Sequence, residues 1–401
     1  MANTMALFKY SGWDFFFTCL GLVFLLLDIV LDILAAVSLY QERAYVSLGI
    51  LLLFLVGSSV LVQAYSWLWY RYEDFERETK VEKVLSQSQL RLLHWLQLGI
   101  YIRHAGVVEI SVRSFDRDIT EGFAVYLSHD LSMLRLIETF SESCPQLVLM
   151  LAIILQRGEL DPVTVLKAIG SASAIAFSMT TYHRSLRSFL PDKEKQQILS
   201  SMVYFLWNLL LISSRLTALA LFASMLPCFI FSHFLCSWLV LFFVVWRCKT
   251  DFMESPGGEW LYRATVGLIW YFAWFNVVEG KTRYRTLLYH GYIVADISLL
   301  CSLWYWKIQN LHAIITAASV VAIYILGLVL KIIYYKCFHP NLTKEELKGV
   351  TPEEPLSSND TPSEDVVDGI MVLNRCLPSP PQASVKHCNK RMRKLAENFY
   401  S

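Results

Sequence analysis

Residues 14–40 read DFFFTCLGLVFLLLDIVLDILAAVSLY. A helix needs about 20 apolar residues to cross a hydrocarbon core of ~30 Å, so Phe15–Tyr40 predicts a membrane span. The exceptions are Asp28 and Asp32 inside it and Asp14 at its start. A charged side chain at the centre of such a helix costs at least about 2.5–3.5 kcal/mol. At 3.6 residues per turn, Asp14 and Asp32 stand five turns apart and in phase, with Asp28 about 40° away. The three acids form one stripe about 27 Å long, close to the depth of a bilayer.

The runs that follow repeat the reading. Val46–Tyr70 is a second span, joined to the first by the short link Gln41–Tyr45. Met133–Leu155, Val163–Met179, Ile198–Met225, Cys228–Trp246, Tyr289–Trp306 and His312–Tyr335 complete a set of eight. Two further apolar runs, Leu90–Ile102 and Ala264–Val278, reach only about 20–23 Å as helices. These read as re-entrant half-helices, tolerated where protein buries their ends. Lys and Arg concentrate in 71–89, 103–128, 181–197, 247–263 and 279–288. Placing these loops in the cytosol puts both termini there and gives the order up, down, half, up, down, twice over. The expectation is an all-α polytopic membrane protein built from two internal repeats, with a membrane domain over 1–335 and a cytosolic tail over 336–401.

Charges recur at depth elsewhere. Arg135, Glu138 and Glu142 follow one another at i, i+3 and i+7. Arg184 stands just beyond Val163–Met179, Arg215 inside Ile198–Met225, and Asp296 inside Tyr289–Trp306. Two readings compete. Buried charges must pair, so these residues can be salt bridges that hold helices together, with Arg135 and Arg215 neutralising some of the acids. Alternatively they form a hydrophilic path that offers charged partners to a polar cargo. A stripe through the bilayer favours the path, since a bridge needs only one depth.

Composition narrows the function. Hydrophobic residues make up 55% of the chain and charged residues 17%, against about 25% charged in a soluble domain. A net charge of +1 excludes nucleic-acid binding driven by bulk basicity. The nine cysteines form no C-x-x-C pair, and no phosphate loop, dinucleotide fingerprint, zinc-protease motif or nucleophile elbow occurs. Neither an enzyme nor a cofactor nor a metal site is expected.

Beyond Tyr335 the composition turns polar, and 351–365 has the proline, serine and acidic content of a flexible segment. Asp365-Val-Val-Asp368-Gly369 is an Asp-x-x-Asp followed by a small residue, the pattern an executioner caspase cuts after its second aspartate. The end of the chain, KRMRKLAENF at 390–399, is basic and helix-compatible. Met392, Leu395 and Phe399 share one apolar face at i, i+3 and i+7. That face reads either as a membrane-surface helix or as a latch on the cytosolic side of the bundle, released by a cut at Asp368.

Several strings carry a resemblance. LSMLRLIETFSESCPQL (131–147), YHRSLRSFLPDK (182–193), YFLWNLLL (204–211), TDFM (250–253) and EWLYRATVGLIWYFAWFNVVEGKTR (259–283) resemble the XK-related family of phospholipid scramblases. The tail is similar to that of its caspase-activated members. The resemblance implies eight spans with two half-helices. It also implies energy-independent, bidirectional phospholipid exchange at the plasma membrane that exposes phosphatidylserine on apoptotic cells. A single-span immunoglobulin-superfamily chaperone, basigin or neuroplastin, is the implied partner. The family's charge ladder carries over to Asp14, Asp28, Asp32, Glu138, Glu142, Arg184, Arg215 and Asp296. Thr181 stands where relatives have an aspartate, and a tryptophan expected near Tyr45–Val46 is missing. The alternatives from other classes are a membrane scaffold or subunit of a lipid-transport complex, told apart by the caspase site, and a solute transporter.

Overall fold

The computed structural model describes residues 12–72, 79–113, 121–158, 162–189, 196–248, 250–276 and 283–338. The long apolar runs become long helices: α1 (Gly12–Gln41) and α2 (Tyr45–Tyr72) form an antiparallel pair. Next come two short helices, α3 (Lys80–Lys83) and α4 (Gln87–Trp95), and the longer α5 (Gly99–Arg113). Helix α6 (Glu121–Glu138) continues through a π-helical turn, Thr139–Ser143, into α7 (Cys144–Arg157). The second half holds α8 (Pro162–Phe189), α9 (Ile198–Met225), α10 (Phe229–Arg247), α11 (Pro256–Phe272), α12 (Arg283–Ile308) and α13 (Leu311–Ile333).

Seven helical stretches among the described residues are long and apolar enough to cross a membrane. They are α1, α2, the α6–α7 unit from Ala124, α9, α10, α12 from Tyr284, and α13 with its π-helical end to Phe338. The run expected as the remaining span lies in α8, whose 28 residues give about 42 Å of helix but whose serines and threonines lower its hydropathy. The chain is an all-α polytopic membrane protein.

Helix α9 is the axis of the bundle and the most buried of the seven. It packs on α7, α8, α12 and α13. Small residues on α9, from Ser214 through Ala218, Ala220 and Ala223, let neighbours come close. Gly327 of α13 lies against Leu211, so that an added Cβ would sit 2.8 Å from its Cδ2. Helix α1 is the opposite case. Only Leu25, Asp32 and Leu39 of it are buried, while Leu26, Leu27, Val30, Ile33, Leu34 and Val37 point outward, as suits a lipid-facing helix.

The two short elements differ from expectation. The sequence suggests one half-helix at 90–102; the structure breaks it into α4 and α5. The amide of Leu98 bonds the Leu93 carbonyl at 2.8 Å and that of Gln97 the His94 carbonyl at 3.1 Å, with Gln97 at φ 63°. This is a Schellman ending, in which the left-handed position usually belongs to glycine; here it is Gln97, so the stop is not legible as one. The predicted loop 103–128 is helical to Arg113 and again from Glu121. The second half-helix, expected at 264–278, starts at Pro256 and ends at Phe272. Ser255 caps it, accepting from the Gly258 amide at 3.1 Å. The Glu259 carboxylate accepts from the amides of Phe252 and Met253 at 2.9 and 2.7 Å, so the TDFM string is the brace for this start. At 17 residues, about 25 Å, α11 still falls short of a bilayer core. The first short unit is thus a two-helix elbow and the second a single helix.

The π-helical turn has a chemical cause. Pro145 has no amide proton and its ring crowds the carbonyl four residues back. The widened turn just before it absorbs that clash and carries Glu142 in its wall.

Candidate functional site

The stripe on α1 meets its partners from α6 and α8. Asp14 Oδ1 accepts from Arg184 Nη2 at 3.1 Å. Arg184 also donates to the Gln196 carbonyl at 2.9 Å and to Ser201 Oγ at 2.7 Å, and its guanidinium lies 4.4 Å over the Phe17 ring. Just past the middle of α1, Asp28 faces Arg135 Nη2 at 3.7 Å. The other arm of Arg135 is 2.6 Å from Glu138 on its own helix. Asp32 accepts from Gln146 Nε2 at 2.7 Å, and the Glu142 carboxyl lies within hydrogen-bonding reach of it. Seven of the nine intramembrane charges singled out in sequence therefore gather along one side of α1.

These pairs border open space. A cavity of about 90 Å³ is lined by Asp14, Arg184, Arg135, Phe17, Phe24 and Phe177. A second, of about 420 Å³, continues along α1 past Asp28 and Asp32 to Glu42 and Arg157. Glu138 and Glu142 line neither and stand behind Arg135 and Asp32 as support. Glu42 and Arg157 pair at the far mouth. That ion pair holds the Glu42 carboxyl below its ordinary value of 4.5. Thr181 lines the smaller cavity; its hydroxyl is buried and meets no partner among the described residues.

Arg215 and Asp296 belong elsewhere. They meet at 2.5 Å across α9 and α12, and Arg215 is fully buried. Its Nε donates to the Tyr271 carbonyl at 3.1 Å. His233 closes the cluster, with Nε2 3.0 Å from Asp296 and Nδ1 3.0 Å from Tyr271 Oη. Neither residue lines the groove beside α1, and the closed geometry is that of a structural brace.

Sequence reading missed four participants. His233 is one and Gln146 another. Arg103 is buried, bonds Ser66 Oγ at 2.8 Å and approaches Asp130 at 3.7 Å. Lys331 is buried on α13 with Nζ 2.8 Å from His290 Nε2 and 5.0 Å from the Trp207 ring. His290, which the sequence places near Asp296, instead contacts Lys331 and, at 2.9 Å, Tyr324. The signal for Arg103 was a basic residue beside an apolar run, and for Lys331 one in the last turns of a span, and both read equally as an interfacial anchor.

Among the described residues no group of His, Cys, Asp or Glu could hold a metal ion. The caspase pattern Asp365, Asp368 and Gly369 and the apolar face Met392, Leu395 and Phe399 lie outside the described residues. Chemically, the groove offers fixed charges of both signs and apolar walls, with no activated nucleophile against it. It can hold or pass a polar group beside lipid.

Comparison with known proteins agrees in outline. The family described as XK-related protein matches residues 16–340. A relative called XK-related protein 8 from Tetraodon nigroviridis is 42% identical over 407 residues, covering 99% of this chain and 98% of its own. Its namesake from Gasterosteus aculeatus is 39% identical over 98% of both chains. That from Pan troglodytes is 36% identical over 95% of this chain and 92% of its own.

Proposed function

The chain belongs to the XK-related family, and from that premise we propose that it is a phospholipid scramblase of the plasma membrane, silent when intact and switched on by caspase cleavage after Asp368. The observation that carries this reading is the groove: acids on α1 that should be costly in lipid line cavities instead of being closed over by packed side chains. A headgroup can exchange its water for Asp28, Asp32 and Arg135 while its acyl chains stay in the bilayer beside the apolar outer face of α1. No energy source enters, so exchange runs in both directions and dissipates asymmetry, exposing phosphatidylserine. Delivery to the surface is proposed to use a single-span immunoglobulin-superfamily chaperone, basigin or neuroplastin.

The test is reconstitution of the full chain in liposomes with fluorescent lipids in both leaflets. Caspase-treated protein should make nearly all labelled lipid reachable from outside, without nucleotide or gradient. The Asp368→Ala chain should stay silent under the same treatment. Lipid exchange no faster than in protein-free liposomes after complete cleavage would end the proposal.

A further inference from the structure

The two cavities lie end to end along α1, and three side chains line both: Phe24, Arg135 and Ser178. Two of these are tethered. Arg135 is held between Glu138 and Asp28, and the Ser178 hydroxyl donates to the Ala174 carbonyl at 3.1 Å. Phe24 is held only by ring contact. Its centroid lies 4.8 Å from that of Phe177, tilted by 47°. On its other side Phe177 stacks on Phe17 at 5.6 Å and 6°. Phe17 and Phe24 are seven residues apart, two turns of α1, so Phe177 of α8 wedges between two rings on one face.

This clamp sits where the polar stripe is interrupted. From Phe15 to Leu27 α1 carries no charge, a gap between Asp14 and Asp28 of about 21 Å of helix. A polar group would find the acids of α1 at either end and, on the α1 side, an apolar wall between them, and an unpartnered polar group in apolar surroundings is strongly disfavoured. The wall is thin: on the α1 side it is one partly exposed ring.

We propose that Phe24, seated on Phe177, is the partition between the two cavities, and that turning its ring away joins them into one groove wide enough for a phospholipid headgroup. This rests on the scramblase reading for its cargo, but the partition itself can be read without lipid. Gly21 lines the smaller cavity, and a Cβ there would meet nothing within 4 Å. Gly21→Cys, in a full-length Cys19→Ser chain, places a thiol behind the partition. A charged, membrane-impermeant thiol reagent is added from the side of the Glu42–Arg157 pair, and modification at residue 21 is followed by mass spectrometry. Losing one aromatic pair shifts an open fraction by up to about tenfold. Phe24→Ala should speed labelling by that order, Phe24→Leu less, and Phe24→Trp should slow it. In parallel, the same Phe24 variants without the cysteine changes are assayed for lipid exchange before and after cleavage.

Equal labelling with Phe24, Ala and Leu overturns the partition; where Phe24→Ala fails to fold, Phe24→Leu and Phe177→Leu decide. Faster labelling with unaltered exchange in a cut chain that does scramble overturns the headgroup route. If the unaltered cut chain moves no lipid, the scramblase reading fails, and the labelling still decides whether Phe24 divides the cavities.

Discussion

Among the described residues Arg184 pairs with one carboxylate, that of Asp14, and Thr181 lies a single turn before it. Asp14→Ala leaves a nearly buried guanidinium unpaired, which costs about 3–5 kcal/mol. Thr181→Asp supplies a new carboxylate at the i, i+3 spacing that lets side chains meet on a helix. The double variant should therefore recover most of the loss, read as thermal midpoint in detergent. A double variant no more stable than Asp14→Ala would refute this. Arg215→Ala and Asp32→Asn should behave as opposites. The first opens a fully buried brace and should abolish folding and surface delivery. The second removes charge from a cavity wall and should leave delivery near normal while slowing lipid exchange; normal exchange with Asp32→Asn would return Asp32 to a structural role. Glu42 gives a pH prediction. Its carboxyl is held down by Arg157, so the pair stabilises the folded chain above pH 4.5 and is lost only as pH falls through the lowered value. Being exposed, it is worth no more than about 1 kcal/mol, so Glu42→Gln should shift the thermal midpoint slightly at pH 7 and progressively less as the pH is taken down through the lowered value. Of these residues Asp28, Asp32, Asp296, Arg135 and Arg215 were legible because a charge inside an apolar run asks for a partner, and Asp14 and Arg184 because they stand just beyond the ends of such runs. Which partner each one takes was not: Asp296 of α12 meets His233 of α10, a helix that packs chiefly on α11, and helix order alone does not fix that.

At the scale of the elements, the elbow between α4 and α5 is sensitive to a methyl group. A Cβ on Gly99 would lie 2.6 Å from three ring atoms of His94. That ring is pinned by Ser66 at 3.0 Å and by the Leu90 carbonyl at 2.8 Å, so it cannot step aside. Gly99→Ala should cost about 1–3 kcal/mol through overpacking, visible as a lowered thermal midpoint and faster proteolysis between α4 and α5. Unchanged values would show that the elbow yields. The long helices were legible because length and apolarity are properties of the run itself. The elbow was hidden because Gln97 occupies a position where glycine is the usual sign. The start of α11 did carry a sign, Ser255 followed by Pro256, a favoured helix opening, but a loop rich in charge masked it. The π-helical turn follows from Pro145, yet sequence does not say whether a proline will kink, end or widen a helix.

For the molecule as a whole, the proposed switch gives the tail control of the groove. If Leu395 and Phe399 hold the intact chain shut by packing, Leu395→Asp with Phe399→Asp should activate it without cleavage. Burying each side chain is worth about 1.5–3 kcal/mol, and removing both moves a mostly closed population to a mostly open one. The measurement is annexin staining of healthy cells carrying the double variant together with Asp368→Ala. Staining equal to Asp368→Ala alone, at matched surface level, would show that this face is no latch. The family and its span pattern were legible across the chain because apolar runs and signature strings are long. The division of labour between a lipid-facing groove at α1 and a closed brace at α9 emerged only once the helices were assembled. That division also bears on how the protein is made. The Asp14–Arg184 bond joins residues 170 apart, and a ribosome adding 5–20 residues per second needs roughly ten to thirty seconds to cover that distance. Until Arg135 is made, α1 has left the ribosome with its acids and neither of its arginines. Nascent α1 must be sheltered within the insertion machinery or by a waiting helper helix, so stalling translation between residues 40 and 135 should leave a chain that quality control removes faster than one stalled after α8.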